Sequence, residues 1–250
     1  MDSPGDAVAV TVDGDEISLH DVLAAAKFHG QIDFVTQAID AALIRRAAAR
    51  LRIEISDAEL QAAADDFRTH RELYEAKKTE AWLAAQHLSQ EDWELQLEGE
   101  ILRRRLRQLL TEGKIDQHFA ENKRAWEAAT VSWIVVADEN IARELRAQAA
   151  ENEADFGDLA RQYSLEDATP RRCRRQDLDA PVAAAIFGVT PGEVAGPVRS
   201  ERGWLVMRVE SFHPARLDQE TREEIAELLF AEWMDAEKAK AGISTPILDI

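Results

Sequence analysis

The sequence predicts an α+β protein: a mostly helical domain interrupted by a smaller domain, in which an antiparallel sheet is flanked by helices. Three observations predict it. Across residues 18–128, apolar residues recur at helical spacing behind capping residues. At Thr130 the pattern changes, and VSWIVVA reads as a β-branched strand. After Pro214 a last amphipathic segment, 217–241, follows the strands with no second core of its own. A helix that long and that apolar on one face needs a partner, and the N-terminal helices offer one. The expected domains are 1–128, helical; 129–213, α+β; and 214–250, a helix that returns to the first domain.

Residues 8–12 alternate into Asp13-Gly14-Asp15, a turn, and Ile17 resumes an extended segment, so a small hairpin is expected. Ser18 then opens a helix with Asp21 in its first turn. Residues 33–51 form a long helix whose expected buried stripe is Phe34, Ala38, Ala41, Ala42, Ile44, Ala48 and Leu51. Ser56-Asp57-Ala58-Glu59 is a capping box for the next helix, with Leu60, Ala63, Ala64 and Phe67 inward. Thr79 is read as the cap of a short helix carrying Trp82 and Leu83. Ser89 precedes Glu91 and Asp92 and a strongly amphipathic helix, 91–110, with Trp93, Leu97, Ile101, Leu102, Leu106 and Leu109. Residues 115–128 are expected to continue helical through Phe119 and Trp126. Beyond the strand at Thr130, helices are expected at 139–152 and 155–163, an irregular polar stretch at 164–180, and a short helix at 182–187. A Pro191-Gly192 turn and a strand opening at Gly196-Pro197-Val198 follow, paired with a strand at 204–209. The last helix carries Ile225, Leu228, Leu229, Trp233 and Met234.

A length of 250 residues suits one large domain or two modest ones, and 46% apolar with 31% charged residues is the balance of a folded, soluble chain. A net charge of −18 makes nucleic acid and anionic lipid poor partners. No apolar run is long enough to cross a bilayer, so no membrane insertion is expected. MDSPGDAVAVTVDGDE has neither a basic n-region nor an apolar h-region. The expected location is cytoplasmic, or periplasmic or extracellular if a leader precedes residue 1. The single cysteine, Cys173, precludes an internal disulfide and fits a reducing compartment. The six histidines are scattered, and no GxGxxG or P-loop pattern occurs, so no metal and no cofactor is expected.

Residues 155–209 carry the most information. They read DFGDLARQYS, then an arginine-rich insert, then IFGVTPGEVAGPVRSERGWLVMRV. An amphipathic helix ending in Tyr163-Ser164, Phe187, a Pro-Gly turn, a Gly-Pro-Val strand entry and an alternating last strand follow in the order of the parvulin-type peptidyl-prolyl isomerases, which the segment resembles. The opening VDGDEISLHDVL and the returning last helix resemble the SurA-like and PrsA-like foldases, where N-terminal helices plus a terminal helix form a chaperone part. The resemblance covers nearly the whole chain, specific in order and modest in identity. It implies a polypeptide partner, unfolded or precursor, with proline-containing segments among its targets.

The resemblance also implies a site. Rotating an X-Pro bond breaks amide resonance, a barrier of roughly 18–20 kcal/mol. A catalyst needs an apolar socket for the proline ring and a preorganised polar network around the twisting amide. The family's first-strand histidine falls on Trp133 and its last-strand histidine on Leu205. Its Cys or Asp after the helix-ending Ser falls near Leu165, Glu166 and Asp167, and its hydroxyl before the last strand falls at Ser200 or Arg202. ATPRRCRRQDL replaces its Gly-Gly-Asp-Leu-Gly segment. The apolar wall is kept in Leu178, Val182 and Phe187, with Trp133 and Leu205 as the floor. Glu166 and Asp167 are the catalytic candidates. Trp133, Leu178, Val182, Phe187, Leu205, Arg174 and Arg175 are the peptide-binding candidates. A site that keeps its apolar half and loses its polar half binds an extended segment without much accelerating rotation, so the expectation is a binder, weak or inactive as an isomerase.

Plainer readings stand beside these. Trp133, Val182 and Phe187 suit a plain core, and Glu166 and Asp167 a solvated loop or cap. Arg171, Arg172, Arg174 and Arg175 suit an exposed loop as well as a clamp for an acidic peptide. Cys173 between them has a lowered pKa if exposed, yet no base lies near in sequence for nucleophilic chemistry. Trp93, Trp126 and Trp233 suit the cement of the helical domain or the lining of a chaperone cradle. Two other functions remain: an active isomerase resting on Glu166 or Asp167, and a non-catalytic assembly or adaptor subunit, including a homodimer.

Overall fold

The computed structural model describes residues 4–248. The extreme ends of the first and last expected domains, 1–3 and 249–250, lie outside the described residues. The chain forms two compact units, one of Met1–Glu112 with Ala226–Ile250 and one of Gly113–Ile225. Residues 113–128 and the first turns of the last helix therefore group with the sheet, although the sequence reading drew its boundaries at 128 and 214. Within that second unit Arg222 pairs with Asp116 at 3.0 Å, which ties the two segments together.

In the first unit, β1 (Val8–Val12) and β2 (Asp15–Ser18) pair antiparallel across Asp13-Gly14. Both turn residues have positive φ, 51° and 96°, as a two-residue hairpin loop requires and as Asp-Gly permits. Then follow α1 (Leu19–Phe28), α2 (Asp33–Arg50), α3 (Asp57–His70), α4 (Ala76–Ala85) and α5 (Gln90–Thr111). Ser18 with Asp21, Ser56 with Glu59 and Ser89 with Asp92 form three reciprocal capping boxes. Hydrogen bonds from the capping serines hold all three carboxyls below the ordinary range. Leu43, Ile44 and Ala47 of α2, Leu106 of α5, and Phe230 and Met234 pack as one core. The second core joins Ala64, Leu83, Trp93 and Leu97, flanked by Phe67 and Trp82.

Several local readings shift. The buried row of α2 is Leu43, Ile44, Ala47 and Ala48, while Phe34 and Leu51 are 46% and 42% exposed, because the partners of α2 meet it one row round from the predicted stripe. The short helix α4 begins at Ala76, so Thr79 is a buried interior residue and not its cap. Leu109 of α5 and Leu228 are exposed.

The second unit holds α6 (Ile115–Glu121), β3 (Ala128–Val136), α7 (Glu139–Ala150), α8 (Phe156–Tyr163), β4 (Arg171–Arg174), α9 (Ala180–Phe187), β5 (Val194–Ser200) and β6 (Gly203–His213). The helix expected across 115–128 stops at Glu121, and Trp126 is buried outside any helix just before β3. It belongs to this unit and so does not cement the helical one. The stretch 164–180 is not irregular throughout, for Arg171–Arg174 is a strand. The sheet order is β4-β3-β6-β5, antiparallel throughout. Alternation along β3 sends Ala129, Val131, Trp133 and Val135 to the core shared with Val182 and Ile186 of α9. Ile134 and Val136 go to the opposite core, with Leu145 of α7 and Phe156 and Leu159 of α8. Gly196 sits at the β5–β6 irregularity with φ +103°, where a Cβ would lie 2.5 Å from the Leu205 carbonyl oxygen.

The last helix, α10 (Gln219–Lys240), begins in the second unit and ends in the first. Phe230 is fully buried against α2 and α5, while Leu228 faces outward. Phe230→Ala is expected to destabilise the first unit by about 3–5 kcal/mol, and Leu228→Ala by less than about 1 kcal/mol. Urea unfolding followed by far-ultraviolet circular dichroism checks this; equal costs would show that α10 does not rejoin the helices through Phe230.

Candidate functional site

Strand register builds the site. Trp133 of β3 pairs with Met207 of β6, and Leu205 pairs with Val135. Trp133 is 7% exposed and Leu205 is buried. Both join Val182 in one apolar cluster, with Leu178 and Phe187 packed half-buried against it. The five apolar candidates are thus contiguous. The Trp133 indole N–H is buried without a hydrogen-bond partner. The Arg202 guanidinium lies 5.8 Å from the Trp133 ring centroid.

The polar candidates are already engaged. Arg202 pairs with Glu166 at 2.9 Å. Ser200 Oγ accepts from the Arg202 amide at 3.2 Å and donates to the Gly203 carbonyl at 3.0 Å, which consumes the hydroxyl in the turn before β6. The segment after α8 is stitched to β3: Leu165 N–H donates to the Val135 carbonyl at 2.8 Å, and Val135 N–H donates to Ser164 Oγ at 3.1 Å. The Leu165 side chain points outward. Asp167 Oδ1 accepts from the Thr169 amide at 3.0 Å and hydroxyl at 2.8 Å. Those bonds, the hydroxyl's first, hold the exposed carboxyl below its ordinary range. Such a group is ionised at neutral pH and is a poor proton donor.

Asp167 and Glu166 line a cavity of about 510 Å³ with Ser132, Phe156, Arg161 and Arg208. Ser132 and Phe156 belong to the α8 side of the sheet, and Trp133 to the α9 side. Glu166 therefore reaches Trp133 only through Arg202, and Asp167 is not brought to the apolar cluster.

The arginine run separates into four environments. Arg174 pairs with Glu224, its guanidinium 5.4 Å from the Trp126 ring centroid. Glu224 raises its pKa further. Arg175 pairs with Glu127 at 3.0 Å and covers the Phe187 ring at 3.9 Å. Phe187 in turn stacks on Phe212, centroids 5.5 Å apart. Arg175, Phe187 and Phe212 line a separate cleft of about 350 Å³ with Glu127, Ala128 and Pro214. Arg171 and Arg172 are exposed. Arg171 donates to the Asp167 carbonyl at 3.1 Å. The charge of Arg172 is felt at Asp218, whose carboxyl is held low chiefly by the Thr221 amide.

Cys173 does not meet the condition of exposure on which a lowered pKa was expected. Its thiol turns inward, with Sγ 3.5 Å from the Ala129 carbonyl. Burial and, secondarily, Asp177 push it up. Strand alternation explains the burial, since Cys173 points to the opposite face from the flanking Arg172 and Arg174.

Sequence reasoning missed Arg202 as the partner of Glu166 and Phe212 as the partner of Phe187. The first was visible only as a departure from the family pattern. The second had no signal in simple alternation, which would turn Ser211 inward after Val209; an extra residue in β6 opposite Thr130 and Val131 brings Phe212 opposite Ala129 instead. Among the described residues no His, Cys, Asp or Glu cluster could hold a metal ion, and no helix is long and apolar enough to cross a membrane.

The family model described as PPIC-type PPIASE domain matches residues 110–240. The crystal structure of the peptidylprolyl isomerase PrsA from Bacillus anthracis is similar at 18% identity over 85% of this chain and 99% of that chain, with a TM-score of 0.53. PrsA from Bacillus cereus is similar at 16% identity over 96% of this chain and 94% of that chain, with a TM-score of 0.51. At these identities the likeness is one of fold. Among curated proteins none is significantly similar.

The raised thiol pKa leaves little thiolate at neutral pH. Iodoacetamide is expected to alkylate Cys173 of the folded chain more slowly than that of the urea-unfolded chain. The pH–rate midpoint should lie higher in the folded chain. A midpoint lowered on folding would return Cys173 to the exposed, arginine-flanked environment.

Proposed function

The chain belongs to the PPIC-type peptidyl-prolyl isomerase family, and from that premise we propose that it is a foldase or chaperone that holds extended polypeptide, with little or no isomerase activity of its own. One observation carries the reading: Trp133 and Leu205 occupy facing strands beneath Leu178 and Val182, and the nearby polar groups are committed to one another. With Trp133, Leu205 and Val182 buried as its floor, the half-buried Leu178 and Phe187 offer a proline ring or another apolar side chain a surface to cover. It offers the rotating amide no stronger interaction in the twisted state than in the planar one, which is the condition for catalysis. Glu166 is held by Arg202, and Asp167 is bonded within its own turn. Neither is free to serve the amide without first breaking a contact. The client favoured here is an unfolded or precursor polypeptide, in which apolar side chains are still exposed.

A proline-peptide exchange assay tests the reading together with suppression of aggregation of an unfolded client. The exchange rate is expected to stay within about a factor of two of the uncatalysed rate, whose time constant is roughly tens to hundreds of seconds. Glu166→Ala should leave it unchanged. Aggregation should be suppressed by the wild-type chain and less so by Leu178→Asp, which sets a charge in the apolar wall. Exchange accelerated about tenfold or more and abolished in Glu166→Ala would establish the active isomerase instead.

A further inference from the structure

We propose that the outer edge of β4 docks an extended, acidic polypeptide segment, which adds to the sheet by main-chain hydrogen bonds and sets a carboxylate against Arg172. The inference rests on the polypeptide-binding reading and names a second surface and a preferred chemistry for it.

The edge is open by topology. In the order β4-β3-β6-β5, β4 has a neighbour on one side only. Its register with β3 pairs Ala128 with Arg174, Ala129 with Cys173, Thr130 with Arg172 and Val131 with Arg171. The same ladder continues with Arg175 N–H donating to the Glu127 carbonyl at 2.8 Å. Hydrogen-bonded and non-hydrogen-bonded pairs alternate in an antiparallel ladder. Cys173 and Arg171 therefore turn their main-chain groups to β3, and Arg172 and Arg174 turn theirs outward. Those groups are the template for one added strand.

The charge selects the occupant. Arg174 and Arg175 are neutralised by Glu224 and Glu127. Arg172 is exposed and makes no hydrogen bond or close ion pair among the described residues, its charge acting on Asp218 from beyond ion-pair distance, and Arg171 donates to the Asp167 carbonyl and acts on the Asp167 carboxyl without a close ion pair. This cationic edge belongs to a chain of net charge −18. A second copy pairing through the same edge would set arginine against arginine, so edge-to-edge association is disfavoured. A strand with acidic residues at alternate positions reverses that sign and places its carboxylates on the face that carries Arg172.

The test is fluorescence anisotropy of the full chain with labelled peptides alternating Glu and Thr, the same peptide N-methylated at every second residue, and a Lys-Thr counterpart. The Glu-Thr peptide is expected to bind. The N-methylated peptide, unable to donate along one edge, should bind about tenfold more weakly or worse, and the Lys-Thr peptide should not bind. Arg172→Glu should weaken the Glu-Thr peptide by at least about tenfold, with an unchanged unfolding midpoint. Suppression of aggregation of a neutral client should be untouched by Arg172→Glu and reduced by Leu178→Asp, which separates failure of the edge from failure of the cleft. Absence of Glu-Thr binding, equal binding of the N-methylated peptide, or indifference to Arg172→Glu would overturn the proposal. So would a dimer that Arg172→Glu dissociates, because the edge would then serve self-association.

Discussion

The two-residue period of β3 is the constraint on which the second unit depends. Its odd-numbered residues, Ala129 to Val135, enter the core beneath α9, and Ile134 and Val136 enter the core beneath α7 and α8. Because β6 pairs with it residue by residue from Val131 to Val136, the same parity decides the fate of the last strand over 204–209. Leu205 and Met207 fall on the side of Trp133, and Val206 falls on the other. A one-residue slip would exchange the two cores entirely. The bulge at Gly196 absorbs the extra residue of β5 where no side chain would fit, and so keeps the pairing of the remaining residues intact. The apolar floor is thus a product of sheet register.

The same parity, carried across to β4, explains how one run of similar residues acquires different chemistry. Arg171, Arg172, Cys173, Arg174 and Arg175 are neighbours in sequence, yet the thiol is turned to the Ala129 carbonyl and its pKa rises. Arg174 and Arg175 find carboxylates and aromatic rings, where a guanidinium gains both a charge partner and a π face. Arg172 finds no ring and no close ion pair, its charge acting on Asp218 from farther off. A charge run read by composition alone averages over these environments, which is why the sequence left an exposed loop and a clamp as equal alternatives and tied a lowered thiol pKa to exposure.

Much of the fold was legible because its signals are local. Capping boxes at Ser18, Ser56 and Ser89, the Asp-Gly hairpin turn and the switch to β-branched residues at Thr130 each depend on a few adjacent residues. The return of the last helix followed from an apolar face with nothing else to cover it, and Phe230 and Met234 pack as that argument requires. The misreadings arose where a partner distant in sequence decides. The buried row of α2 is chosen by α5 and α10, not by the richest apolar stripe of its own sequence. The strand β4 has low intrinsic β propensity and exists because β3 offers it a ladder. The apolar candidates Trp133, Leu178, Val182, Phe187 and Leu205 were legible through family order and do converge. The ties of Glu166 to Arg202 and of Phe187 to Phe212 span 36 and 25 residues and carry no local signature.

Loss of the polar half of a site need not cost the molecule a use. Rotation about the amide is slow because resonance must be broken, and only interactions that strengthen as it breaks can shorten the wait. Apolar burial is nearly indifferent to that change, since the ring or side chain covers the same surface in either isomer. On the proposed function, the half-buried Leu178 and Phe187, backed by the buried Trp133 and Leu205, would contribute affinity without contributing rate. Arg202 with Glu166 then closes the polar account locally: each charge satisfies the other beside the indole, and neither imposes a geometry on a bound amide. On the proposed function, an isomerase scaffold altered in this way would keep a reason to hold polypeptide, the burial of apolar side chains rather than the chemistry of the prolyl bond.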